Sequence, residues 1–358
     1  MKADRLEKVL KNMHELALDR LIVSSPTSIY YLTGKMIHPG ERLVALNIGK
    51  SGDVSLIANR LFAVGSVDGA KLIEYDDTDN CEQILSDTIK GGKLGVDKDW
   101  PCRFALPLIG MRTDLQVSVG SAAVDKARML KTPEEIIFMR ESSRLNDKAI
   151  NQAISALRDG VKESEIAKVY TSAASSLGAG GGSFDSLICF GANCAEPHHD
   201  TDDTVIREGD SVILDVGAKK DGYCSDMTRT VFFKTATEEQ KFVYSLVEEA
   251  NAAGRAAVKP GVKLKDVDRA ARSVIESAGY GDFFIHRTGH GIGLEVHEYP
   301  DVSSVSETVC EPGMVFSVEP GVYLKGRFGV RVEDLVCVTE DGCETFNQYT
   351  KEMRIIGC

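Results

Sequence analysis

Apolar residues in the first third of the chain come in short runs closed by turn residues. "RLIVSS" (20–25), "LVALNIG" (43–49), "VSLIAN" (54–59) and "KLGVD" (93–97) read as strands, and "SIYYLTG" (28–34), between Pro26 and Gly34, reads the same way. Residues 1–19 carry the mixed polar and apolar spacing of a helix. Strands alternating with helical stretches predict an α/β domain to about residue 125.

The pattern then changes. "KTPEEIIFMRESSRLNDKAINQAISALRDG" (131–160) opens with Thr132 as a cap, Pro133 at the first helical position and Glu135 closing a capping box. Ile136, Met139, Leu145, Ala149, Ala153 and Leu157 recur on roughly one face, and Gly160 ends the helix. Helices are also expected at about 163–177, 238–258 and 264–278. The glycines of "GAGGGSFDSLICFG" (178–191) follow a helix, so they are a connection into a strand and not a dinucleotide loop. "DSVILDVGAKKDGYCSDMTRTVFF" (210–233) reads as a hairpin turning at Asp221-Gly222. The last third is strand-rich, with "MVFSVEPGVYL" (314–324) and "GVRVEDLVCVTEDG" (329–342). Strands and helices do not alternate here as βαβ units, which predicts an α+β domain of antiparallel strands over 126–358 after an α/β domain over 1–125.

Composition narrows the function classes. A chain of 358 residues with a formal net charge of −12 lacks the basic balance of a nucleic-acid binder, so no nucleic-acid partner is expected. No run of apolar residues is long enough to span a membrane, and the start has no signal-peptide core. Nine cysteines, an odd number with no CxxC, read as reduced thiols of a cytoplasmic protein.

Candidate chemistry begins with the hairpin at 210–233. Asp215 ends an apolar run, where an uncompensated carboxylate is costly. With the turn centred on Asp221-Gly222, Asp226 falls opposite Gly217 and on the same sheet face as Asp215; with the turn a half-step earlier the two acids are directly opposite, and either way they converge. Glu319 and Glu333 lie symmetrically about Gly326, so a hairpin turning there brings them together. Arg331 shares the face of Glu333, and Asp334 points the other way. Converging carboxylates repel unless a cation or shared proton intervenes. Two such pairs beside the histidines of "HRTGHGIGLEVHEYP" (286–300) suit two divalent ions, and hard oxygen donors with imidazole favour manganese, with cobalt, zinc or iron as alternatives. Each acid alone reads more simply as a cap or salt-bridge partner; the joint set carries the weight. His286 and His290 have the four-residue spacing of a helical zinc pair, but Gly289, Gly291 and Gly293 disfavour a helix and predict a strand or extended loop.

Residues 130–358 resemble the pita-bread metallopeptidases, the family of methionine aminopeptidases, prolidases and Xaa-Pro aminopeptidases. The resemblance rests on "EPHH" (196–199), "ILDVGAKKDGYCSDMTRT" (213–230), "HRTGHGIGLEVHE" (286–298), "MVFSVEPGVY" (314–323) and "GVRVEDLVCVTEDG" (329–342). The first domain, with "SSPTSIYYLTG", resembles the creatinase-type domain that precedes the catalytic one in prolidases. The resemblance implies metal ligands at Asp215, Asp226, His290, Glu319 and Glu333, with Asp226 and Glu333 bridging two ions. It implies that His198 and His297 contact substrate, that Glu319 moves protons, and that Arg331, Tyr323 and His286 support the site or the substrate pocket. The implied reaction is attack of a metal-bridging hydroxide on the peptide bond preceding proline in a small peptide, by a dipeptidase or an aminopeptidase, in a homodimer.

Two other readings compete. A creatinase-like amidinohydrolase would use this fold without metal, and a non-catalytic interaction protein would have lost ligands. The complete five-residue set counts against both.

Overall fold

The computed structural model describes residues 1–357. It divides into two compact units, Met1–Arg128 and a second from Met129 onward.

In the first unit the chain runs α1 (Ala3–Glu15), β1 (Arg20–Val23), α2 (Pro26–Thr33), β2 (Ala45–Gly49), β3 (Val54–Asn59), β4 (Lys71–Tyr75), α3 (Cys81–Thr88), β5 (Gly92–Val96), α4 (Cys102–Met111), β6 (Leu115–Val119) and α5 (Ala122–Met129). The sheet order is β4-β3-β2-β1-β5-β6. β1–β5, β5–β6 and β3–β4 are parallel, whereas β1–β2 and β2–β3 are antiparallel. Ile22, Leu43, Leu94, Trp100 and Phe104 share one core.

One strand expectation fails here. "SIYYLTG" is the body of helix α2, capped by Ser25, whose side chain accepts from Ser28 N, and stopped by Gly34 at φ 74°. Ser28, Ile29, Tyr31 and Leu32 are buried. A short run this apolar has no readable period. The Ser-Pro start and glycine stop decide it as a helix.

The second unit runs α6 (Pro133–Ser155), α7 (Glu163–Ser176), β7 (Leu187–Phe190), β8 (Ser211–Val216), β9 (Lys219–Lys220), β10 (Tyr223–Cys224), β11 (Met227–Phe233), α8 (Glu238–Ala257), α9 (Leu264–Ser277), β12 (Gly289–Gly291), β13 (Glu298–Val302), β14 (Val315–Val318), β15 (Gly321–Leu324), β16 (Phe328–Arg331), β17 (Asp334–Val338), β18 (Cys343–Thr345) and β19 (Ile355–Ile356). The capping box at α6 is formed: Glu135 N donates to Thr132 Oγ1, and Thr132 N donates to Glu135 Oε2 at 2.7 Å. Such a cap contributes about 1 kcal/mol.

Among the described residues this unit holds two larger sheets, in the orders β19-β11-β8-β7 and β13-β12-β14-β17-β18, and two two-stranded ones, β10-β9 and β15-β16. Helices α6 and α7 cover the first through Ala149, Ile150, Ile166 and Tyr170 against Ile188, Leu214 and Val231. Helices α8 and α9 cover the second and the β15–β16 hairpin, through Val247, Ala250, Leu264 and Val267. Full burial of each such aliphatic side chain contributes roughly 1.5–3 kcal/mol. The face of the first sheet turned away from α6 and α7 carries Asp215, Thr228 and Thr230 beside a small apolar cluster of Cys189 and Ile213. No helix among the described residues is long and apolar enough to cross a membrane.

Candidate metal centre

The hairpin registers decide where the acids go. β8 pairs with β11 so that Asp215 faces Thr228 and Val216 faces Met227. Continued toward the turn, this register sets Asp226 opposite Gly217, and Lys220 pairs with Tyr223 across Asp221-Gly222. In the second sheet Val318 pairs with Asp334, and in the next hairpin Gly321 pairs with Arg331. Glu319 and Glu333 therefore sit opposite each other where one ladder hands over to the next. Glu333 N donates to Thr228 O at 3.1 Å, which docks this junction beside β11, whose first residue follows Asp226.

His290 enters from β12, whose neighbour β14 lies very close. A Cβ on Gly289 would stand 1.9 Å from Ser317 O, so only glycine permits the approach. His290 N donates to Ser317 Oγ at 3.0 Å, and Nδ1 lies 3.1 Å from Gly291 O. That carbonyl fixes the proton on Nδ1 and leaves the Nε2 lone pair facing Glu319 Oε1 at 3.4 Å and Asp226 Oδ2 at 3.8 Å. Burial, with the neighbouring His297 ring, pushes the imidazole pKa down to about 3. A neutral imidazole among carboxylates is a metal ligand's state and a poor salt-bridge partner's.

The acids are crowded and short of donors. Burial, then Glu333, Asp215 and Glu319, raises Asp226 well above the usual carboxylate range. Burial, then Glu319 and Asp215, does the same to Glu333. Glu319 is pushed up to about 7, burial being the first cause. Asp215 Oδ1 and Asp226 Oδ1 are buried with no hydrogen-bond partner among the described residues. Ligand atoms of Asp226, His290 and Glu333 all lie within 4.8 Å of one another. Orphaned oxygens, mutual repulsion and a lone pair aimed among them fit a bound cation.

Behind the acids lies a hydrogen-bonded frame. Arg331 Nη2 donates to Asp215 Oδ2 at 2.6 Å, its Nε to Thr228 Oγ1 at 3.1 Å, and its Nη1 to Tyr323 Oη at 2.9 Å. Thr228 Oγ1 in turn donates to Glu333 Oε2 at 2.7 Å. Tyr323 Oη lies 2.8 Å from His286 Nε2, and His286 Nδ1 lies 2.7 Å from Arg287 O. Because Tyr323 receives from Arg331, its hydroxyl proton goes to His286, whose own proton sits on Nδ1. Burial and then the Arg331 charge push the His286 pKa down to about 4, which keeps that ring neutral.

The acids, His290, Arg331, His286, His198 and His297 line one cavity of about 410 Å³. Phe184, Leu187 and Val296 give it an apolar wall. The His297 ring stands on His290, centroids 4.2 Å apart. Every residue expected at the site from the sequence is brought to it, with one change of place. Tyr323 is not on the cavity wall; it lies behind, between Arg331 and His286. Sequence reading missed Thr228 and Ser317. Both stand two residues from an acid of the site, hence on its strand face, and that spacing was the available signal.

The model of metallopeptidase family M24 matches residues 138–340, and that of the creatinase/prolidase N-terminal domain matches 5–130. The chain belongs to metallopeptidase family M24. This M24 chain is 34% identical over 351 residues to an uncharacterized peptidase of Staphylococcus aureus (strain USA300), covering 97% of this chain and 99% of the relative. A prolidase from Thermococcus sibiricus superposes at a TM-score of 0.92 with 33% identity, covering 98% of both chains. The dipeptidase PepE of Mycobacterium ulcerans superposes at 0.94 with 31% identity, covering 99% of this chain and 98% of the other. The M24 chain thus has a creatinase-type first domain and a pita-bread metallopeptidase domain, and its family implies divalent metal ions.

Proposed function

We propose that this M24 peptidase hydrolyses the peptide bond preceding proline in short peptides, using two divalent cations, manganese in the first place. The observation that carries it is the meeting of four carboxylates and one neutral imidazole around two buried, unbonded carboxylate oxygens. The likeness to a prolidase and a dipeptidase over nearly the whole chain supports the substrate class.

Asp215, Asp226, His290, Glu319 and Glu333 would hold the cations. Bound there, the cations would polarise the scissile carbonyl and make a water acidic enough to attack it near neutral pH. Glu319, on the cavity wall beside His290, would take the proton from that water and hand it to the leaving proline nitrogen. His198 and His297 face the cavity and donate to the oxyanion that develops. Arg331 and Thr228 hold Asp215 and Glu333 in place. The apolar wall receives the proline ring or the first side chain. The same reading includes a homodimer, supported by the family resemblance. It also includes a cytoplasmic setting, supported by the free thiols of the eight described cysteines.

The test is a paired assay of stripped protein and protein reloaded with Mn2+ or Co2+, on an X-Pro dipeptide, an X-Pro-Y tripeptide and an X-Ala dipeptide. Cleavage confined to reloaded protein and to X-Pro substrates is expected. Equal turnover of X-Ala, or turnover without metal, rejects the proposal. The dipeptide-to-tripeptide ratio separates dipeptidase from aminopeptidase.

A further inference from the structure

His198 lines the cavity beside His286 and His297. Among the described residues its side chain makes no hydrogen bond or ion pair, so its place is set by the backbone of the loop after β7. That loop begins with a 3-10 turn at Gly191–Ala195 and continues to Asp202. Its fixings determine where His198 stands.

Most of those fixings converge on one buried carboxylate. Glu163, the first residue of α7, is 0% exposed. Its Oε1 accepts from Phe190 N at 2.7 Å and Asn193 Nδ2 at 2.9 Å. Its Oε2 accepts from Asp202 N and lies within 3.1 Å of His199 Nε2. All four donors come from residues 190–202, two on each side of the turn that carries His198. Main-chain bonds Glu163 N to Thr204 O and Ser164 N to Asp202 O tie the end of the same segment to the start of α7. On the cavity side Arg331 Nη1 reaches Pro197 O at 3.4 Å. The loop is clamped from behind by Glu163 and from the front by the arginine that holds Asp215.

Glu163, His199 and Asp202 are also close enough to suggest a second metal site. The hydrogen bonds argue against it, because both Glu163 oxygens are already occupied by two donors each. Burying a carboxylate is costly, and a carboxylate with four donors is a strong, directional fixing point. Helix capping alone does not require it, since Glu165 supplies the capping bond to Lys162 N.

We infer that Glu163 is a positioning residue for His198: its buried carboxylate gathers the loop so that the histidine faces the reacting centre. The inference rests on the reading of His198 as a substrate-side donor.

The experiment is a double-mutant cycle on full-length, manganese-loaded protein with an X-Pro dipeptide, using Glu163→Gln and His198→Ala. Glu163→Gln keeps the size but turns one acceptor into a donor facing donors. It is expected to lower kcat/KM by about 10–100-fold with bound metal unchanged, as displacement of a reacting group does. In the His198→Ala background the same change is expected to cost less than about two-fold, because nothing remains to be positioned. Equal losses in both backgrounds overturn the inference and leave the proposed function standing. An unchanged kcat/KM in His198→Ala alone rejects the reading of His198 and the inference with it. Should Glu163→Gln not fold, His199→Phe removes one donor of the four and is judged by the same comparison. Histidine-selective NMR of the full-length protein stripped of paramagnetic metal gives a readout independent of turnover: one sharp His198 ring signal in the wild type, broadened or shifted in Glu163→Gln. An identical signal in both overturns the inference.

Discussion

Arg331 and Asp215 are joined by a guanidinium–carboxylate contact of 2.6 Å at the edge of the acid cluster. The same guanidinium reaches Thr228 and Tyr323, so three contacts fix the planar group that sets the angle of the Asp215 carboxylate. Lysine can reach one partner but cannot reproduce that fork. Arg331→Lys is expected to weaken manganese binding by about 10–100-fold, the usual cost of losing an outer partner of a metal ligand. Metal titration by calorimetry checks it, and an unchanged affinity would remove Arg331 from the site.

Thr228 bridges Arg331 and Glu333 through one hydroxyl. Thr228→Val keeps the shape and deletes both bonds. Loss of about 1–3 kcal/mol is expected where a buried charged acceptor loses its donor. Thr228→Ser should retain most of both metal affinity and kcat. Similar behaviour of the serine and valine variants would show that the hydroxyl is idle.

Stripped of metal, the protein should become less stable as pH rises. An acid whose folded pKa is raised keeps a proton that the unfolded chain has released, so the native state binds more protons and unfolding becomes easier with rising pH. For Glu319 the window runs from the ordinary 4.5 to about 7, and Asp226 and Glu333 extend it upward. Melting of chelator-treated protein is therefore expected at lower temperature at about pH 8 than at about pH 6, with saturating Mn2+ narrowing the gap. A metal-free melting temperature that climbs across this range contradicts the crowded-acid account.

Asp226→Ala and Glu333→Ala should each abolish metal-dependent turnover, leaving the first unit, Met1–Arg128, folded. Activity assay with far-ultraviolet circular dichroism checks both halves of the statement. Wild-type turnover in either variant would reject the ligand assignment.

Asp334, buried, receives Arg229 at 2.8 Å and lies within 3.4 Å of Arg255 and Lys351. Asp334→Ala strands a buried guanidinium, which costs about 3–5 kcal/mol. Urea unfolding should show that loss, whereas a change within about 0.5 kcal/mol would mean that water or rearrangement repairs it.

Much of the site's placement was legible because hairpins carry their own arithmetic. A turn at Asp221-Gly222 puts Asp215 and Asp226 on one sheet face, a centre of symmetry at Gly326 puts Glu319 opposite Glu333, and the ladders follow both. Glycines around His290 told strand from helix, and β12 is a strand. Helix α2 was misread because its buried, apolar run has no period; the Ser25-Pro26 start held the answer. Thr228, Ser317 and Glu163 stayed hidden for another reason. Each is an ordinary residue type whose partner lies far along the chain, as Glu333 does from Thr228, or across a loop, as His199 does from Glu163. Spacing puts Thr228 and Ser317 on the strand face of a nearby acid, but nothing local names the distant partner.

Neighbouring residues Glu333 and Asp334 face opposite ways, and so do Thr228 and Arg229 beside them. One pair, Thr228 with Glu333, serves the cavity; the next, Arg229 with Asp334, is a buried ion pair. A one-residue slip of β17 toward its start would put Asp334 in the cavity and Leu335 against Arg229. The opposite slip would put Val332 in the cavity and remove a carboxylate from it. Either error leaves a buried charge or a depleted acid cluster, so the consecutive pairs act as a proofreading device for strand registry. The same dipeptide that furnishes a candidate ligand also reports whether the chain has threaded correctly.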